Sequence, residues 1–262
     1  MPPAFATACA PVLHIDSGVA TLTLNRPAQR NRLENADLKT LLAHFETVNQ
    51  QHDVRVLVLT ANTAGQSQPV FCAGYDVAGF DEPGHGAGFF EEIPQALAQL
   101  RPVTLCALNG SVYGGATDLV LACDLRLGLT GIEWRMPATA LGLHYYPSGL
   151  QRYVQHFGLA GAKRAFLSAR PFAAEQLLAM GLFEALVPGP QWDEALASWV
   201  ADILALAPLA VQETKKSLND IAAGTADLAL LRERERLSSR SADFAEGLAA
   251  FAQKRKPVFR GC

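Results

Sequence analysis

The residues of this chain best suited to chemistry run from Asn109-Gly110 through Gly114-Gly115-Ala116-Thr117-Asp118 to Cys123-Asp124. Before them, 103–108 is an apolar run bounded by Pro102 and Gly110, which reads as a buried strand. After them, 115–122 has helical spacing and 125–127 reads as the next strand. Gly114-Gly115 thus falls at a turn into a helix. There the first amides lack intrahelical partners and the helix dipole presents its positive end. Glycine admits a substrate oxygen close to that backbone. Asp118 lies about one turn inside, so its carboxylate is expected to look back over the same opening. Paired amides beside a carboxylate suit enolate chemistry. By spacing alone the residues also fit an ordinary tight strand–helix turn.

The surrounding elements follow from pattern. Residues 12–15 and 19–24 are β-prone runs around Asp16-Ser17-Gly18, a hairpin signal. Leu38, Leu41, Leu42, Phe45 and Val48 repeat at helical spacing, and 56–59 reads as a buried strand. Strand, helix, strand, loop, helix, strand points to βαβ crossovers and an α/β core. The run Val70-Phe71-Cys72-Ala73-Gly74-Tyr75-Asp76 follows a polar loop, and 81–88 is rich in glycine and acid, expected to be mobile. Phe89, Ile93, Leu97 and Leu100 suggest a helix flanking the two glycine turns. Residues 134–149 read as irregular, 153–167 and 173–180 as helices, the latter stopping at Gly181. From Trp192 onward the chain reads as successive helices without a core of their own. Their charged run, Arg232 to Arg236, has the pattern of a solvated face. The organisation is a core over 1–190 and a helical region over 191–262.

At 262 residues, 50% hydrophobic and 18% charged, the chain can bury a sizeable core. Net charge is −3, with no stripe of Lys and Arg between aromatics, which argues against nucleic acid. The five cysteines are odd in number and lack CxxC spacing. This favours a reducing, cytoplasmic location, with no disulfide framework and no metal site. Residues 1–11 make a poor signal peptide, and no stretch of 18 apolar residues suggests a membrane span.

Taken together, Phe71-Cys72-Ala73-Gly74-Tyr75-Asp76 and Asn109-Gly110…Gly114-Gly115-Ala116-Thr117-Asp118…Cys123-Asp124 resemble the enoyl-CoA hydratase/isomerase (crotonase) family. So do Leu24-Asn25-Arg26-Pro27, Gly149-Leu150-Gln151-Arg152, Ala174-Glu175…Gly181-Leu182…Val187-Pro188 and the closing 250–259. The resemblance implies an α/β spiral of βαβ units and C-terminal helices that build a homotrimer, often paired into a hexamer. It implies an acyl-CoA substrate, with coenzyme A as part of that substrate and no separate cofactor. It further implies an oxyanion hole made by the amides of Tyr75 and Gly115. Substrate and coenzyme A contacts would come from Arg30, Ala73, Asp76, Gly114, His144 and Lys254, the last, or Lys256, from a neighbouring subunit. Each preorganised donor to a developing oxyanion is worth about 3–4 kcal/mol.

The chain departs from the hydratase pattern where two glutamates activate water. The first position is Asp118, shorter by one methylene and about 1.5 Å of reach. The second, after Met136-Pro137, is Ala138. Two segments, 109–116 and 141–145, are similar to the methylmalonyl-CoA decarboxylase branch of the family, which uses a tyrosine at the position of Tyr145. Tyr146 replaces the aspartate of the dehalogenase and dienoyl-isomerase branches and argues against both. The resemblance therefore implies a hydratase or lyase acting through an enolate, with Asp118 as acid/base and Tyr145 as a second polar group. Decarboxylation, isomerisation and acyl-CoA binding without turnover are the alternatives.

Overall fold

The structure, a computed structural model, describes residues 10–76 and 87–262. The segment 1–9 and most of the glycine- and acid-rich stretch 81–88 lie outside the described residues.

Strand β1 (Val12–Asp16) pairs antiparallel with β2 (Val19–Leu24) across Ser17-Gly18. Both turn residues have positive φ, 50° and 81°, the geometry that matches a two-residue turn to strand twist. Helix α1 (Asn35–Gln50) buries Leu38, Leu41, Phe45 and Val48 and returns the chain to β3 (Val56–Ala61), parallel to β2. From there the chain coils, each turn giving one strand to each of two sheets. Strand β3 joins the first sheet and β4 (Val70–Cys72) the second. Helix α2 (Ala87–Ala98) then leads to β5 (Val103–Leu108) and β6 (Ser111–Tyr113). Helix α3 (Ala116–Ala122) leads to β7 (Leu125–Leu129) and β8 (Glu133–Arg135). Sheet one runs β1-β2-β3-β5-β7-β10 and sheet two β4-β6-β8-β9, with β9 at Phe172–Ala173 and β10 at Ala185–Val187.

The switch from β5 to β6 takes only Asn109-Gly110. A Cβ on Gly110 would stand 2.6 Å from the Phe71 nitrogen and 2.8 Å from the carbonyl carbons of Pro69 and Val70. Glycine is required there because two backbones touch. Every residue of β5 is buried, as its mostly apolar run predicts, and its one polar side chain, Thr104, bonds Asp124. Phe71, Trp134, Tyr153 and Phe172 are the bulkiest fully buried side chains and fill the second sheet's side of the core.

The stretch expected to be irregular, 134–149, contains β8 and a short 3-10 turn, Ala138–Leu141. Both are too short to show a period. Helix α4 (Pro147–Ser168) is interrupted at Gly158, where φ is 63°, and is followed by α5 (Ala174–Ala179). Helices α6 (Trp192–Leu204), α7 (Pro208–Ala223), α8 (Leu228–Ser239) and α9 (Ala242–Gln253) close the chain. Leu196, Trp199, Val200 and Ile203 of α6 pack on Val56, Val103, Leu105 and Leu127 of the first sheet. At α6 the helical region thus shares the core of the first sheet. Beyond it, Leu218, Leu228, Leu248 and Phe251 are exposed, Phe251 by 87%. Within the charged run of α8, Arg234 is not merely solvated: it bonds Asp220 at 2.7 Å and ties α8 to α7. Among the described residues no single helix is long and apolar enough to cross a membrane.

Candidate active site

Two loops meet to form the site. The turn after β2 holds the first: the Arg30 carbonyl accepts from the Ala73 amide at 2.9 Å. The Leu33 amide donates to Gly74 O at 2.9 Å, and the Asp76 amide donates to Leu33 O at 2.8 Å. In this parallel bridge the flanking groups of Tyr75 bond Leu33. The N–H of Tyr75 itself therefore points to the opposite side. Gly74, with φ 103°, lies against the second loop. A Cβ there would meet Tyr113 O at 3.0 Å and Gly114 Cα at 3.7 Å.

The second loop is the diglycine turn. Gly114 takes φ 57°, and its amide donates to Arg135 O at 3.0 Å. The Thr117 hydroxyl donates to Gly114 O at 2.6 Å. With its one proton spent there, Thr117 accepts from the Tyr153 hydroxyl at 2.6 Å, and Tyr153 accepts from Trp134 Nε1 at 3.3 Å. This buried chain fixes the turn from below. Gly115 is the residue just before α3, and its amide has no acceptor among the described residues. Such an orphan donor at a helix start is free to meet a ligand.

Tyr75 and Gly115 line one cavity of about 110 Å³, together with Ala73, Gly74, Gly114, Phe90, Pro137, Ala138, Leu141, Leu143, His144, Tyr145 and Tyr146. Phe90, from α2, packs its ring 5.3 Å from that of Tyr75 and 6.2 Å from that of Tyr146. Of the residues singled out in sequence, Tyr75, Gly115, Ala73, Gly114, His144 and Tyr145 are brought together here. Arg30 stands exposed on the neighbouring turn, and Asp76 pairs with Arg32 at 3.3 Å. Lys254 is exposed at the end of α9 and does not line the cavity.

Asp118 is near, but its carboxylate does not look over the opening. It is fully buried, 0% exposed, and does not line the cavity. Arg152 donates to it twice, Nε to Oδ1 at 2.8 Å and an Nη to Oδ2 at 2.6 Å. The Tyr146 hydroxyl donates to Oδ2 at 2.6 Å, and the Tyr145 hydroxyl donates to Tyr146 at 2.9 Å. The two phenol rings stack at 4.1 Å. They sit on Gly149, where a Cβ would stand 2.7 Å from the Tyr146 ring and still closer to that of Tyr145. Tyr146 and Arg152 received no role from sequence reading. The signal for both was present, a tyrosine pair followed by glycine and arginine at a helix start, but it names no partner 28 or 34 residues away.

The electrostatics follow from burial. Burial, then the charge of Asp118, pushes the Tyr145 and Tyr146 phenols well above their ordinary range. Burial does the same to Tyr153. Burial alone would lower the Arg152 guanidinium, but the hydrogen bonds and charge of Asp118 outweigh it and raise it. For a phenol raised in the folded state, the stabilisation is complete below the unfolded value near 10 and is lost as pH rises toward the folded value. Above pH 10 these three tyrosines should therefore each withdraw about 1.4 kcal/mol of stability per pH unit. An absorbance titration should show them ionising only together with unfolding. Smooth ionisation of all five tyrosines near pH 10 in the folded protein would contradict this burial.

The sequence matches the family model described as enoyl-CoA hydratase/isomerase over residues 14–262. The chain belongs to the enoyl-CoA hydratase/isomerase family. Its fold is the crotonase type, in agreement with the coil of paired strands described above. It is 30% identical over 248 residues to 2,3-dehydroadipyl-CoA hydratase of Escherichia coli K12, covering 93% of this chain and 95% of that protein. It is 31% identical over 265 residues to 1,2-epoxyphenylacetyl-CoA isomerase of the same organism, covering 95% and 97%. The crystal structure of an enoyl-CoA hydratase from Bacillus anthracis superposes with a TM-score of 0.85 at 27% identity, covering 96% and 99% of the two chains. Proteins named as hydratases and as an isomerase are thus both similar to this chain over nearly its whole length.

Proposed function

We propose that the protein binds an acyl-CoA thioester in this cavity and carries it through an enolate in a hydratase- or lyase-type reaction. The observation that carries the reading is the seating of Gly74 on the Tyr113–Gly114 turn, with Tyr75 and Gly115 lining one cavity. The thioester oxygen accepts from both amides, and the bonds strengthen as enolate charge gathers on it. Relatives named for acyl-CoA hydration and isomerisation support the substrate class. Coenzyme A enters as part of the substrate and no further cofactor is invoked. Arg30 and the tail lysines, Lys254 foremost, are assigned to the nucleotide. Exposed Leu228, Leu248 and Phe251 are assigned to a homotrimer or hexamer. The free buried thiols of Cys72, Cys106 and Cys123 suit the cytoplasm.

Water addition by two paired carboxylates is not the step we assign to this site. Ala138 presents a methyl group to the cavity, and Asp118 stands behind Tyr146. A second reading, decarboxylation of a malonyl-type thioester, is favoured because no carboxylate is among the described lining residues. An apolar wall favours loss of CO2 over a retained carboxylate. The local similarity of 109–116 and 141–145 to the decarboxylase branch points the same way.

The test is a turnover screen against enoyl-, β-hydroxy- and malonyl-type CoA thioesters. At least one class should turn over, with crotonyl-CoA hydrated well below the enzyme median of about 10 per second. Crotonyl-CoA hydration at that median would contradict the reading of Ala138 and Asp118. Binding without turnover of any class would make the protein an acyl-CoA-binding member of the family.

A further inference from the structure

We propose that Asp118 is the base of this site and works at second hand, through a relay of two phenols ending at Tyr145. The inference rests on the enolate reading above and adds the route by which the proton travels.

Hydrogen-bond counting fixes the direction of the relay. The Asp118 carboxylate accepts from Arg152 on both oxygens, so the 2.6 Å contact to Oδ2 is donated by the Tyr146 hydroxyl. A phenol has one proton. With that proton on Asp118, the Tyr146 oxygen can only accept, so the 2.9 Å contact between the phenols is donated by Tyr145. Both protons of the pair point inward. Tyr145 and Tyr146 are both lining residues of the cavity, and with both protons turned inward the unused valence on the Tyr145 oxygen is a lone pair. The phenols therefore receive a proton, although a phenol standing alone would be read as a donor.

The step balances as follows. The α-C–H bond of the thioester breaks and its electron pair passes to the thioester oxygen, held by the Tyr75 and Gly115 amides. The proton forms a bond to the Tyr145 oxygen. The proton of Tyr145 passes to Tyr146, and the proton of Tyr146 passes to Oδ2 of Asp118. Reversal returns a proton to the α-carbon or, in an isomerisation, to another carbon of the enolate. Burial, and then the Asp118 charge, hold both phenols above their ordinary range, so no tyrosinate persists between the steps. The transfers therefore run in concert. Arg152 keeps Asp118 oriented from the far side of the wall, where it lines a separate cleft of about 950 Å³ between α3, α4 and α7. It is a positioning residue that never meets the substrate of the first cavity.

The relay is tested by exchange of the α-protons of butyryl-CoA into deuterated solvent, followed by NMR, in the wild type, Tyr146→Phe and Tyr145→Phe. Tyr146→Phe keeps the stacked ring and cuts the route to Asp118. It should slow exchange about 100-fold or more while butyryl-CoA binding changes little. Tyr145→Phe should slow it as well. The wild-type rate, plotted against the deuterium fraction of the solvent, should bow downward because several protons move together. Exchange in Tyr146→Phe close to the wild-type rate, or a straight-line dependence on deuterium fraction, overturns the relay and leaves the enolate reading standing. Absence of exchange in the folded wild type with butyryl-CoA bound overturns both.

Discussion

Replacing Arg152 by alanine should cost the fold about 3–5 kcal/mol, the largest stability loss expected from any single side chain of the site. Asp118 is fully buried, and Arg152, 13% exposed, supplies both its strong donors. Removing the guanidinium leaves a carboxylate with only the Tyr146 hydroxyl to replace its lost hydration. An unpaired buried charge costs far more than the pair contributes, so the double variant Arg152→Met with Asp118→Leu should be more stable than Arg152→Ala alone. Urea unfolding at neutral pH checks both statements. A loss below about 1 kcal/mol in Arg152→Ala, the range of an exposed ion pair, would show that the pair is not buried as described.

The contrast between Asp118 and the glycines explains what the sequence made legible. Gly74, Gly114 and Gly115 mark demands on the backbone, positive φ at the first two and a close approach at Gly74 and Gly115, and such demands are local. They could be read from residue type and spacing. The spacing also put Asp118 one turn inside the helix. Which way its carboxylate points was set by Arg152, 34 residues on, and by Tyr146, 28 residues on. No local pattern carries that information. Tyr146 was read only as the loss of an aspartate, whereas in the fold it is the link between the cavity and the buried charge.

The same division runs through the architecture. The largely apolar run of β5 and the stripe of α6 were legible as elements. That the chain changes sheets at Gly110 depends on contact with residues 69–71, about forty positions earlier, and was not read from the sequence. The stripe Leu196, Trp199, Val200 and Ile203 predicted a helix with a buried face but not its partner. The first sheet was the partner, because Val56, Val103, Leu105 and Leu127 otherwise face water.

The largest effect on chemistry is expected from Gly115→Pro. Gly115 has φ −56° and stands at the start of α3, where proline is accepted by the backbone. What proline removes is the N–H assigned to the thioester oxygen. Loss of one oxyanion donor costs about 100- to 1000-fold in turnover. Any added Cβ at this position also comes within 2.8 Å of the Phe90 ring, so Gly115→Ala is the needed control: it carries the same clash but keeps the amide. The buried Phe90 ring must shift in both variants, so the difference between them reports the amide, and Gly115→Ala should retain much more activity than Gly115→Pro.

Enolate formation at Tyr75 and Gly115 is tested most directly by the ultraviolet difference spectrum of acetoacetyl-CoA bound to the wild type, Gly115→Ala and Gly115→Pro. The ligand reports its own keto–enolate balance without turnover. The wild type should shift it to the enolate on binding, Gly115→Ala should retain the enolate band, and Gly115→Pro should bind the ligand yet leave it in the keto form. A wild type that binds acetoacetyl-CoA without enolising it, or an enolate band of equal strength in Gly115→Pro, would contradict the assignment of these two amides.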